Sequence, residues 1–131
     1  MRSQRIHRSE FVRQLKLEFP EALPFLDSMR DGLTLEMDGF TSFAADAIDR
    51  GDYETVTRCF RFADRLLEQG NRAVRNAVAV VFLEHLRFEG RNGAKAHQLL
   101  TSRLRQEWDA VHEYLHELVG AEPPKVGTND A

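Results

Sequence analysis

A chain of 131 residues, 42% of them hydrophobic and 30% charged, has room for one ordinary globular domain. That composition argues against a chain disordered throughout, a collagen-like repeat and a disulfide-stapled miniprotein. Eighteen lysines and arginines against 21 aspartates and glutamates leave a net charge of −3, so no global basic excess exists to bind nucleic acid through the phosphate field.

Residues 1–8 are expected to be loose. Ser9 is placed to cap a first helix, on which Phe11, Val12, Leu15 and Phe19 follow at helical spacing until Pro20 stops it. A short second helix is expected over 20–29 with Leu23 and Leu26 inward, and Asp31-Gly32 is a turn. Asp38 is placed to cap the third helix, whose apolar stripe is Phe40, Phe43, Ala44, Ala47 and Ile48. Gly51 can end that helix in the left-handed conformation, and Asp52 can accept from the free amides of the next.

On the fourth helix Tyr53, Val56, Phe60, Ala63 and Leu67 share one face. Phe62 points nearly opposite, so it either meets a second neighbour or is exposed. Gly70 ends this helix and Asn71 caps the fifth, expected over 72–88. The run Ala77 to Leu83 is apolar on almost every side, which belongs between other helices. A loop at 89–93, a short helix at 94–100 and a last helix over 102–119 with Leu104, Trp108, Val111, Leu115 and Leu118 on one stripe complete the pattern. The tail from 120 has two prolines and little to bury, and is expected to be disordered.

No stretch alternates convincingly with period two. The expected fold is all-α: a compact bundle or short solenoid-like stack of five to seven antiparallel helices in one domain over 9–119. The single cysteine suits a reducing compartment, and no apolar run reaches the ~20 residues that span a bilayer, so a cytoplasmic protein without a membrane anchor is expected.

Several segments resemble a family of small, all-helical bacterial proteins that carry a domain of unknown function. They are Phe19-Pro20-Glu21, Asp38-Gly39-Phe40, Gly51-Asp52, the block Asn76-Ala77-Val78-Ala79-Val80-Val81-Phe82-Leu83-Glu84-His85-Leu86, and Leu104-Arg105-Gln106-Glu107-Trp108. The likeness spans Phe19 to Trp108. Some proteins that look like this sit beside secreted toxins and are taken to be immunity proteins. The resemblance therefore implies a binding role, with no reaction and no cofactor to carry over.

Charge is segregated along the chain. Residues 27–54 hold eight acids against Arg30 and Arg50, a local charge of −6, whereas residues 1–26 come to +2 and residues 55–131 to +1. A local acidic field suits a basic protein partner, such as a toxin domain that cuts nucleic acid. The bland alternative is a solvated acidic face. The candidate partner-binding residues are Asp31, Glu36, Asp46 and Asp49, with Tyr53 and Phe62 as aromatic anchors.

Other constellations carry less. His112-Glu113-Tyr114-Leu115-His116 fits the H-E-x-x-H spacing that places two imidazoles one turn apart on a helix, the basis of an alternative reading as a metal-dependent hydrolase. No histidine follows His116 to complete a ligand set, so a solvated helix flank is the simpler reading. His85 beside Glu84 reads as a partly buried histidine bonded to an oxygen rather than as an acid–base pair, because adjacent helical residues point about 100° apart. Asn76 is expected to bridge a loop to a helix, Cys59 to be buried and inert, and Trp108 to anchor the core. Arg58, Arg61 and Arg65 are expected to pair within their own helix with Asp64 and Glu68. A scaffold or adaptor without an antitoxin role is a further alternative.

Overall fold

The computed structural model describes residues 5–26 and 33–120, the side chains of Thr34, Leu35 and residues 113–120 excepted. In chain order the elements are α1 (Arg8–Glu18), a 3-10 turn (Pro20–Ala22), α2 (Leu23–Leu26), α3 (Leu33–Arg50), α4 (Tyr53–Gln69), α5 (Arg72–Ala77) continued by a π segment (Val78–Leu83), α6 (Gly90–His97) and α7 (Ser102–Gly120). The fold is all-α, with no strand among the described residues.

The element boundaries follow local chemistry. Asp52 accepts from the Thr55 amide at the start of α4, and Asn71 does the same for Val74 at the start of α5. Gly51 has φ +71°, the left-handed conformation that ends α3. Two expected caps are corrected. The N-cap of α1 is His7, with the Ser9 hydroxyl 2.9 Å from its Nδ1. Asp38 lies inside α3, which begins at Leu33. The second helix is shorter than expected in the described residues, and residues 27–32 fall outside them. Leu26 is buried there, but Leu23 is exposed.

Residues 5–8 were expected to be loose and are docked instead. The Ile6 amide donates to the Gln69 carbonyl (2.8 Å), the Asn71 amide donates to the Ile6 carbonyl (2.8 Å), and the Ile6 side chain is buried. The chain entry is thus stitched to the α4–α5 junction.

One aromatic cluster holds the core. Phe62, only 1% exposed, lies 5.4 Å from Phe19, 5.4 Å from Phe40 and 6.1 Å from Phe11, measured between ring centroids, and Phe40 stacks on Phe82 at 5.1 Å. Rings from α1, from α3 and from Phe19, the link between α1 and the 3-10 turn, therefore meet on one ring of α4. The π segment packs against α3, α4 and α7 and buries Val78, Val81, Phe82 and Leu83. Its burial is not all-round, since Val80 remains 55% exposed. No helix of the described residues is long and apolar enough to cross a membrane.

Candidate functional site

The structure brings three of the six expected binding residues together, at the corner where α3 turns into α4. Asp46 accepts from Arg50 Nε (2.8 Å), and Arg50 Nη1 donates to Asp52 Oδ2 (3.3 Å). The Asp52 carboxylate also takes the Thr55 hydroxyl (2.8 Å), and this bond is the main reason its pKa is held below the usual carboxylate value. On the other side, Asn92 of α6 ties two points of the corner. Its Nδ2 donates to the Asp49 carbonyl (3.0 Å), and its Oδ1 accepts from the Tyr53 hydroxyl (2.9 Å). Lys95 Nζ sits 5.1 Å from the Tyr53 ring centroid. The backbone of the corner is thereby fixed. The Asp49 and Glu54 carboxylates are exposed and make no hydrogen bond or ion pair among the described residues.

The remaining three expected residues are elsewhere. Asp31 lies outside the described residues. Glu36 is held against α1 by both Arg8 Nε (2.7 Å) and Arg8 Nη2 (2.8 Å), so its charge is neutralised within the protein. Phe62 is corrected outright as an exposed anchor, because it is the centre of the core. Tyr53 is half-buried and engaged with Asn92 and Lys95, which makes it a strut of the corner with one edge to solvent.

The arginine flank of α4 also departs from expectation. Arg58 reaches Glu21 Oε2 (2.8 Å) and the Glu18 carbonyl (2.7 Å), and Arg65 reaches Glu18 Oε2 (2.5 Å). Asp64 binds Arg103 of α7 (3.0 Å). These ion pairs join helices rather than supporting one. Cys59 is buried, and burial pushes its thiol up to about 12, so it is unsuited to nucleophilic work. His85 donates from Nδ1 to the Val81 carbonyl one turn back (2.9 Å), although its ring is exposed. Asn76 is exposed and bridges no loop.

A second feature lies between α6, α7 and residues 86–89. His112, the first member of the H-E-x-x-H spacing, packs on Trp108 with ring centroids 4.1 Å apart, and Trp108 in turn packs on His97 at 4.8 Å. The Glu113 and His116 side chains are outside those described. Among the described residues no group of three or more potential metal ligands is gathered. Trp108 is half-buried at the margin of the core, beside a cleft of about 450 Å³. His97 and Phe88, which line this cleft, carry no sequence signal that would have singled them out.

A family model for a domain of unknown function, DUF7674, matches residues 12–116. The chain belongs to that family. The match covers both the α3–α4 corner and the α6–α7 cleft, and it includes the segments that suggested a small helical domain of unknown function. No curated protein and no solved structure matches the chain.

Proposed function

We propose that the protein acts by binding, without catalysis, as a cytoplasmic immunity protein that neutralises a basic toxin domain by occlusion. The observation that carries this reading is the fixed α3–α4 corner. There Asp46, Asp49, Asp52 and Glu54 outnumber the nearby cations Arg50, Lys95 and Arg58, the last already paired with Glu21, and Asn92 holds the backbone that presents them. A pre-ordered surface loses little entropy on association. Surplus carboxylates raise the rate of encounter with a basic partner, and that gain falls as salt shortens the Debye length to ~8 Å at physiological strength. The buried single cysteine suits a reducing compartment.

The test is co-expression with the product of the adjacent gene. The reading expects a stoichiometric complex whose association slows with added salt, and whose affinity drops at least tenfold in the double variant Asp49→Lys, Glu54→Lys. An adjacent gene encoding no toxic or secreted domain, with no complex formed, removes the proposal. An unchanged affinity in the double variant moves the interface away from this corner.

A further inference from the structure

Three buried polar atoms that nothing among the described residues satisfies belong to residues lining the cleft between α6 and α7. They are His97 Nε2, Trp108 Nε1 and His112 Nε2, and all three residues line the same concavity. Buried polar groups in native proteins are paired in the great majority of cases, so three orphans on one cleft form a pattern. Trp108 Nε1–H can only donate, which fixes what must meet it: an acceptor. Each imidazole Nε2 donates whenever it carries a proton.

The walls of the cleft are aromatic. Phe88 stands edge-on to both His97 (5.2 Å, 78°) and Trp108 (5.7 Å, 68°). Arg87 and Glu89 are its charged lining residues, and the Arg105 guanidinium donates to the His97 carbonyl (3.2 Å) just outside. At about 450 Å³ the space lies toward the small end of the range for ligand cavities.

We propose that this cleft is a binding site for a small carboxylic acid with a flat apolar body. The carboxylate supplies two acceptor oxygens, one for Trp108 Nε1–H and one for an imidazole N–H; of the two charged lining residues, Arg87 favours it and Glu89 opposes it. The apolar body lies against Phe88 and the face of Trp108, where ring contacts add to area burial. The site shares no residue with the α3–α4 corner, so the two proposals stand or fall separately.

Trp108 is the single tryptophan of the chain, and its emission reports on this cleft alone. The probes are phenylacetate, its neutral analogue phenylacetamide, and ethylbenzene, which has no acceptor. Each is titrated into the intact protein by calorimetry and by fluorescence excited at the indole edge. Phenylacetate is expected to bind at one site and change the emission, with phenylacetamide at least about fivefold weaker because it brings no charge. Trp108→Phe keeps a ring and deletes the donor, and is expected to weaken phenylacetate about tenfold by calorimetry. His112→Ala weakens it as well, whereas His85→Ala, outside the cleft, leaves it unchanged. Should Trp108→Phe not fold, the comparison of phenylacetate with phenylacetamide in the unaltered chain decides the matter. Ethylbenzene binding as tightly as phenylacetate, or no phenylacetate binding up to about 10 mM, the weak end expected for so small a ligand, overturns the proposal. So does tight binding of Zn²⁺ alone that is lost in His97→Ala and His112→Ala, which would make the cleft a metal site.

Discussion

Replacing Phe62 by alanine removes the α4 ring on which Phe11 of α1, Phe40 of α3 and Phe19 between α1 and the 3-10 turn converge. The side chain is 1% exposed and has three aromatic neighbours within 6.1 Å, besides the Arg65 guanidinium 5.4 Å from its centroid. Truncating a buried phenylalanine costs about 3–5 kcal/mol through lost transfer energy and the cavity left behind. The loss of three ring–ring contacts places this site in the upper half of that range, near ~4 kcal/mol. A domain of this size is stable by about 5–15 kcal/mol, so a large fraction of the total is at stake. Urea denaturation followed by helical circular dichroism reads the change as a midpoint lowered by about 2 M, for a slope of roughly 2 kcal/mol per M. A loss below about 1 kcal/mol would refute the reasoning and return Phe62 to the surface.

Three further outcomes are expected. Cys59, its thiol pushed up to about 12 by burial, should resist a thiol-specific reagent at pH 8 in the folded protein and react at once in urea; rapid native labelling would contradict its placement. The Glu10 carboxyl, lowered from 4.5 to about 2 chiefly by its hydrogen bond to Arg13, should titrate near that value by carbon-13 NMR and move back toward 4.5 in Arg13→Ala. Because the folded value is the lower one, its stabilising contribution is complete above pH 4.5 and is lost as pH falls toward 2; stability that rises on acidification through this window would contradict the pairing. Gly93→Ala should destabilise by about 1–3 kcal/mol in a urea melt, since an added Cβ would meet the Phe88 carbonyl carbon and lie 2.8 Å from its Cα; a neutral effect would show that residues 86–89 can move away from α6.

Much of the helical layout could be read from local chemistry. Gly51-Asp52 and Gly70-Asn71 act as the stop-and-start pairs that their residue types favour, because left-handed glycine and side-chain acceptors work within three or four residues. Asp38 misled for the same reason turned round: an aspartate can cap a helix, but one that begins five residues earlier absorbs it as a surface residue. The apolar run at 77–83 was legible as core, yet not its π turn. A hydrogen-bond step of five residues rotates the face relative to the 3.6 repeat, so Val80 emerges into solvent although Val78, Val81, Phe82 and Leu83 do not.

The candidate sites were legible only in part. Local charge located the α3–α4 corner, because Asp46, Asp49 and Tyr53 lie within eight residues of one another. Linear charge counting does not reveal that Glu36 is claimed by Arg8, 28 residues away, or that Arg58 and Arg65 reach across to α1 and the turn after it. His97, Phe88 and Trp108 come together only through the turn of α6 onto α7, a contact with no periodicity to betray it. The H-E-x-x-H spacing drew attention to His112 for a metal, whereas its ring packs against the indole.

The most direct measurement of the central claim, that the α3–α4 corner is the working surface, is amide chemical-shift mapping of the labelled protein as the adjacent gene's product is added. The account predicts perturbations concentrated at residues 46–54 and at Asn92 and Lys95, which buttress the corner. Perturbations confined to other surfaces, with those amides unmoved at saturation, would contradict it.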